Sequence, residues 1–265
     1  MRYIADHDIH IHSQLSLCSD DPKQTPQAIL EYGIANGFKT LCLTDHFWDA
    51  RVPGASEWYR PQHFERISKA LPLPQAKGIR FMFGCETDMD KHFTVGISPE
   101  TLEKLDFCII PTTHLHMDGF TLEGNENADQ RARLWIDRFD ALLDMDLPFN
   151  KIGIAHLTCP LIFCRGNYLD VLNAISDDEC HRLFAKAAKT GIGIELNFAS
   201  LKMPTEELDA NLRIYRFAKA EGCKFYLGSD AHHPAGRQEE AKDNFENIIT
   251  LLDLTEDDKF ELVRQ

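Results

Sequence analysis

Histidines and carboxylates recur along this chain at positions that suit metal chemistry. Seven short apolar runs each stop at such a residue: Asp8-Ile9-His10-Ile11-His12, Leu41-Cys42-Leu43-Thr44-Asp45-His46, Phe81-Met82-Phe83-Gly84-Cys85-Glu86, Ile109-Ile110-Pro111-Thr112-Thr113-His114-Leu115-His116, Ile152-Gly153-Ile154-Ala155-His156, Ile192-Gly193-Ile194-Glu195-Leu196-Asn197 and Tyr226-Leu227-Gly228-Ser229-Asp230-Ala231-His232. If each run is a buried parallel strand, the polar residues collect on the one rim where such folds keep their active sites. His10 and His12 are two apart, so both rings leave one face of a strand with Cβ atoms about 7 Å apart, within reach of a single ion. Such a pair arises readily by chance. The weight comes from its sum with His46, Glu86, His114, His156, Asp230 and His232, all at run ends.

Imidazole together with carboxylate is the ligand set of Zn, Mn or Fe, whereas Ca and Mg prefer oxygen alone. Eight or nine ligands exceed the needs of one ion. Two or three divalent ions are therefore expected, with Glu86 and Asp230 best placed to bridge a pair about 3.5 Å apart. His7, His63, His92, His181 and His233 fall away from this pattern, and His63 and His181 sit in helical stretches that read as solvated faces.

The elements that must position these residues are marked by punctuation. Gly37, Gly78, Gly191 and Gly222 each precede an apolar run and follow helical periodicity. Glycine just past a helix end takes the left-handed conformation cheaply, so the pattern reads as helix stop followed by strand. Thr25-Pro26 reads as an N-cap with proline at the first helical position, and Ser176 to Glu179 and Thr255 to Asp258 match the capping-box pattern. Helices are predicted near 26–36, 61–71, 99–105, 126–145, 168–189, 205–221 and 238–252, with a short helix closing the C-terminus. Strands are predicted near 6–11, 39–44, 79–85, 107–113, 151–155, 192–197 and 224–228.

Seven βα units with right-handed crossovers can close a parallel sheet into a barrel. A doubly wound open sheet is the rival, but it would spread the seven run ends along a line of about 5 Å steps. The segments 47–61 and 117–125 exceed usual connection lengths and hold Trp48, Trp58, Tyr59 and Phe120. They suit either lids over the site or packing over the barrel end.

A length of 265 residues fits one large domain, read here as 1–265, since α/β barrels reach this size without splitting. Hydrophobic content of 43% and charged content of 26% are those of a globular protein. A formal charge of −14 repels phosphodiester backbones, so long nucleic acids are not expected as partners and a small substrate is. The N-terminus shows no signal-peptide apolar region, and no run approaches the about 20 residues of a membrane span, so a cytoplasmic location is expected. The eight cysteines contain no CxxC pair, which suits reduced thiols; Cys159 and Cys164 lack the second pair that a zinc ribbon requires.

Taken in order, HxH (His10, His12), Thr-Asp-His (His46), Gly-x-Glu (Glu86), Thr-His (His114), Ala-His (His156), Glu-x-Asn (Glu195, Asn197) and Gly-Ser-Asp-Ala-His (Asp230, His232) resemble the PHP superfamily, named for polymerase and histidinol phosphatase, over about residues 6–237. The resemblance implies a distorted seven-stranded (β/α)7 TIM-like barrel with a trinuclear metal site. It assigns His10, His12, Glu86 and Asp230 to one ion, Glu86, His114 and His156 to a second, and His46 and His232 to a third. The family often adds a histidine or aspartate six to eight residues after HxH; this chain has Leu17-Cys18-Ser19-Asp20-Asp21 there, and Asp20 is favoured. His116 competes with His114, and the family's Ser/Thr-x-His pattern favours His114.

Two stretches look like the histidinol-phosphatase branch, His156 to Arg165 and Glu195 to Lys202, each ending in a cation where a phosphate could be held. Arg165 and Lys202 are accordingly candidate substrate-binding residues, weighed against being surface loop charges, and Arg237 is a weaker one. The expected reaction is hydrolysis of a phosphate monoester: ions polarise the phosphoryl oxygens, and a metal-bound water lowered toward a pKa of about 7 supplies the attacking hydroxide. No GxSxG elbow or P-loop offers another route. The proton donor to the leaving group is unassigned, with Asp20 or a metal-bound water as candidates.

L-histidinol phosphate is the leading substrate, ahead of nucleoside monophosphates, sugar phosphates and short oligonucleotide ends. An amidohydrolase barrel also opens with HxH, but it would want a lysine at a middle strand end, where this chain has none. A non-catalytic binding module would be expected to lack ligands, and nearly all are present.

Overall fold

The computed structural model describes residues 1–19, 21–197, 204–235 and 237–262, with Arg237 described by its backbone alone. Its centre is a parallel sheet of strands β1 (His7–Ile11), β2 (Thr40–Leu43), β3 (His46–Phe47), β4 (Arg80–Thr87), β5 (Phe107–Ile109), β6 (Ile152–Ile154), β7 (Gly193–Leu196) and β8 (Lys224–Leu227). The order is β1-β2-β4-β5-β6-β7-β8, and β3 continues the line of β2 by pairing with β4 through His46 opposite Glu86 and Phe47 opposite Thr87. Thr44 and Asp45 interrupt β2 from β3 because their side chains turn to β1 and the loop after it: Thr44 Oγ1 accepts from Ile11 N (3.1 Å) and Asp45 accepts from Ser13 N (2.7 Å). Seven strand positions result, as the apolar runs predict, and the architecture is a distorted (β/α)7 TIM-like barrel rather than an open sheet.

The closure explains the distortion. Where a ladder between β1 and β8 would run, side chains substitute: Leu227 N donates to His7 Nε2 and Ser229 N to Asp8 Oδ1, both at 3.0 Å. Only beyond these does backbone pairing resume, with Asp230 N donating to the His10 carbonyl (2.8 Å) and His12 N to that of Ala231 (3.0 Å). Asp8 is wholly buried, and burial pushes its carboxyl up to about 6 against the hydrogen bonds it accepts from Ser229, Tyr32 and His10.

Helices α1 (Pro26–Ala35), α2 (Phe64–Ile67), α3 (Pro99–Leu102), α4 (Ala128–Leu143), α5 (Tyr168–Ala174), α6 (Asp177–Thr190), α7 (Thr205–Ala220) and α8 (Arg237–Leu251) surround the sheet. Thr25 caps α1 through Ala28 N with Pro26 at the first position. In α4 the apolar positions Ala132, Trp135, Ile136, Phe139, Leu142 and Leu143 recur at helical spacing, so one face is buried. Trp135, Phe139 and Phe184 of α6 meet edge to face behind the sheet, and burial of each such ring contributes about 1.5–3 kcal/mol. A smaller cluster of Ile9, Cys42, Met82, Phe107, Ile109 and Tyr226 fills the inside of the barrel. No helix among the described residues is long and apolar enough to cross a membrane.

Three expectations need correction. The helix expected over 168–189 is two helices, because Ile175 is extended and Ser176 starts α6 by accepting from Glu179 N; the cap signal overrides the continuous periodicity. The helix expected over 61–71 is one α turn followed by a 3-10 turn at Ser68–Ala70, since Pro72 forces Leu71 into the extended region. Gly37, Gly191 and Gly222 adopt positive φ at helix ends as expected, whereas Gly78 (φ +85°) closes an isolated turn after that shortened segment.

Candidate metal centre

Every strand end named by the sequence delivers its side chain to one mouth of the barrel. His10 and His12 leave the end of β1, His46 comes from β3, Glu86 from β4, His114 from the loop after β5, His156 from just beyond β6, and Asp230 and His232 from beyond β8. Their ligand atoms form three groups, within each of which all lie no more than 4.8 Å apart: His10, His12, Glu86 and Asp230; Glu86, His114 and His156; and His12, His46 and His232. Glu86 and His12 each belong to two groups, so the three are contiguous. His10 Nε2 and His12 Nε2 are 3.5 and 3.3 Å from both Glu86 Oε2 and Asp230 Oδ1. His156 Nε2 is 3.2 Å from Glu86 Oε1.

Two atoms test whether this donor set fits a cation. Glu86 Oε2 and His46 Nδ1 are buried and 3.0 Å apart, yet neither makes a hydrogen bond among the described residues. A buried acceptor without a donor costs about 1–3 kcal/mol, and two such atoms at one point suit a cation held between them. The electrostatics agree. Burial would raise the Glu86 carboxyl, but the imidazoles of His46 and His10 hold it well below its ordinary range. Asp230 is likewise held well down against burial by His10, His12 and His232. Burial and neighbouring imidazoles push His46 well below the usual imidazole range and His232 to about 4.

Outer partners orient the rings. Glu195 on β7 takes His10 Nδ1 at 2.5 Å with one oxygen and His156 N at 2.8 Å with the other. His12 Nδ1 donates to Ser16 Oγ (3.0 Å), which donates to Asp45 Oδ1 (2.8 Å). Thr113 Oγ1 lies 3.0 Å from His156 Nδ1, and Asp88 Oδ2 lies 2.9 Å from His114 Nδ1. Such contacts fix tautomer and direction and raise ligand basicity. Two of the ligands carry backbone strain: His156 (φ +32°) and Asp230 (φ +53°) occupy left-handed conformations that cost non-glycine residues about 1–3 kcal/mol.

A cavity of about 580 Å3 opens above the groups. Trp58, Tyr59, Met117 and Phe120 wall it, so the two long segments line the site, and Trp48, Tyr59 and Phe120 form their own buried cluster. A larger hollow of about 860 Å3 lies at the opposite end beside His7, Lys39, Arg80 and Lys259, and none of the three ligand groups is there.

The remaining sequence candidates fall as follows. His116 stands exposed on the cavity rim, edge to face with His114 at 5.4 Å, and joins none of the groups. Arg165 is exposed and paired with Asp118 (2.7 Å), a residue that lines the cavity. Asp20 and Lys202 lie outside the described residues, as does the side chain of Arg237. Cys159 and Cys164 join no ligand group among the described residues, and all eight cysteines are free thiols. His7 is buried at the far end and His181 pairs with Glu221 on the surface. Sequence reasoning missed Asp88 and Ser16 as partners of ligand histidines and Cys18 in the cavity lining. Asp88 was discoverable, because it is two residues beyond Glu86 and so shares its strand face.

Comparison with protein families matches residues 8–199 to the PHP domain. No curated protein sequence matches the chain. Among solved structures, histidinol phosphate phosphatase from Lactococcus lactis subsp. lactis Il1403, complexed with zinc, L-histidinol and phosphate, superposes with a TM-score of 0.68 at 18% identity, covering 97% of this chain and 98% of that one. N-isopropylammelide isopropylaminohydrolase from Burkholderia multivorans ATCC 17616 gives a TM-score of 0.41 at 13% identity, over 89% of this chain and 59% of the other. A D-hydantoinase gives 0.38 at 9% identity, over 89% and 49%. The first likeness is one of fold.

Proposed function

Because the chain belongs to the PHP domain family, we propose that it is a metal-dependent phosphoesterase hydrolysing a small phosphate monoester, with histidinol phosphate as the leading substrate. The observation that carries this reading is the convergence of three contiguous ligand groups, sharing Glu86 and His12, beneath one cavity. His10, His12, Glu86 and Asp230 would hold one divalent ion, Glu86, His114 and His156 a second, and His46 and His232 a third, with His12 or Asp20 completing it. Zinc, manganese and iron all suit this mixed donor set. Bound there, such ions supply Lewis-acid polarisation of a phosphoryl oxygen and acidify the attacking water.

The chain's own residues do the rest. Glu86 and Asp230 stay ionised and bring the negative charge that holds cations in a buried cluster. Arg165, Lys202 and Arg237 are proposed to meet the substrate phosphate, Arg165 exchanging its pairing with Asp118 for that contact. Trp58 and Met117 offer an apolar wall for the leaving group, and the Asp118 carboxylate offers a partner for a cationic one. These features suit an aromatic amino alcohol such as histidinol, which the Lactococcus structure contains with phosphate. The proposal extends to one domain over 1–265 and to a cytoplasmic setting, which the eight free thiols suit.

The test is a phosphomonoester panel that includes histidinol phosphate, nucleoside monophosphates and sugar phosphates, assayed with Mn and Zn separately. Turnover highest on histidinol phosphate is expected. Turnover confined to nucleotides would redirect the substrate assignment, and none on any phosphomonoester with either metal would overturn the reaction.

A further inference from the structure

We propose that Asp88 is a positioning residue that sets the tautomer of His114 and ties this ligand to the cavity wall. The inference rests on the reading of Glu86, His114 and His156 as metal ligands. Asp88 follows Glu86 by two residues and is wholly buried at the mouth of the barrel. Its Oδ2 receives two donors from different segments, His114 Nδ1–H at 2.9 Å and the Tyr59 hydroxyl at 3.1 Å. Its Oδ1 accepts from Met89 N at 2.7 Å and faces the Arg138 guanidinium at 3.6 Å.

Arg138 holds this arrangement from behind. It lies on α4, is wholly buried, and donates to the carbonyls of Met89, Asp90, Thr112 and Thr121. Those carbonyls belong to the segment carrying Asp88 and to the segment carrying His114, so one guanidinium fixes the separation of the two residues. A carboxylate facing Nδ1 keeps the proton on that nitrogen and leaves the Nε2 lone pair directed into the site, where it sits 3.9 Å from Glu86 Oε1. Tyr59 lines the cavity and shares the same oxygen of Asp88. Ligand orientation and wall position therefore depend on one anchor.

The test is a zinc titration of the full chain against a chromophoric chelator, with Asp88→Asn, His114→Ala and the double variant. Outer partners of this kind contribute about 10–100-fold in metal affinity. Asp88→Asn should weaken one class of sites by that factor and leave the rest, and in the His114→Ala background it should cost nothing further, because its effect passes through the imidazole. Unchanged zinc affinity in Asp88→Asn, or a loss that persists without His114, would overturn the proposal. A wild-type chain that binds no zinc would instead remove the metal reading. The tautomer is checked independently of any folding defect, by the imidazole 15N shifts of His114 in the metal-free wild-type chain, assigned by their loss in His114→Gln. A proton on Nδ1 is expected, and an Nδ1 that carries none would overturn the proposal.

Discussion

Gly228 offers a clean perturbation of the proposed metal centre, because alanine there adds one carbon and removes no ligand. A Cβ at this position would collide with Glu195 Oε1 and approach His10 Cβ at 2.6 Å. Both neighbours are fully buried, so neither can swing into solvent, and the contact falls on the 2.5 Å bond that orients His10. Overpacking of this kind costs about 1–3 kcal/mol of stability. Displacing Glu195 from His10 should further weaken metal binding by about 10–100-fold, and each tenfold removes about 1.4 kcal/mol of zinc-dependent stabilisation when zinc is in excess. At roughly 2–4 °C per kcal/mol for a chain of this size, the rise in Tm on adding zinc should shrink by roughly 3–11 °C.

The assay is thermal unfolding of Gly228→Ala and wild type, each with and without zinc. Gly37→Ala is the control, since its φ of +69° strains alanine while nothing lies within 4 Å of the added carbon; it should lower both Tm values and leave the zinc-dependent rise intact. A Gly228→Ala protein whose zinc-dependent rise equals that of the wild type would refute the reasoning that links Glu195 and His10 to metal binding.

Other consequences can be measured separately. Although burial alone would lower them, Glu195 and Glu86 hold His10 well above the usual imidazole range, Asp230 and Glu86 hold His12 raised, and Cys159 and Glu86 hold His156 well above it. These raised imidazoles hold protons to a higher pH than ordinary ones, so over that range a cation must displace protons, and zinc affinity should increase with pH by about one log unit per pH unit for each proton released. Calorimetric titration in buffers of different ionisation enthalpy reports the proton count, and a pH-independent affinity would contradict the charge state assigned here. Arg165→Ala should raise KM for a phosphomonoester several-fold while leaving metal content unchanged; steady-state kinetics with metal analysis decides, and an unaltered KM would remove Arg165 from the phosphate contact. Trp58, edge to face with His46 at 5.0 Å and lining the cavity, should when changed to alanine raise KM more for a phosphomonoester with an aromatic leaving group than for glycerol phosphate. Equal effects on the two would exclude it from reading the leaving group.

Much of the fold is legible because each βα unit carries its own punctuation. Thr25-Pro26 and Ser176 mark helix starts by caps that the structure contains, and Gly37, Gly191 and Gly222 mark helix ends by positive φ. Most of the strands are legible because runs buried on both faces are largely apolar up to the polar residue that ends them. The barrel is expected from the convergence of the run ends, but the way it closes is not legible, because it depends on His7 and Asp8 accepting from Leu227 and Ser229 across more than two hundred residues. His10, Glu86, His156 and Asp230 could be named from their places at run ends, where strand geometry dictates direction. Their outer contacts are less legible: nothing local tells Ser16 to meet His12, and although Asp88 can be placed on the face of Glu86, its meeting with His114 depends on segments that Arg138 ties together. The left-handed backbone at His156 and Asp230 is likewise imposed by tertiary contacts, Glu195 receiving the N–H of one and the His10 carbonyl that of the other.

The most direct measurement is the number of metal ions each chain retains after loading with zinc or manganese and exhaustive desalting, for wild type and for Glu86→Gln. Two or three ions per wild-type chain are predicted, with a loss of more than one in Glu86→Gln because Glu86 belongs to two of the three groups. No retained ion in the wild-type chain, or a full complement in Glu86→Gln, would contradict the shared metal centre.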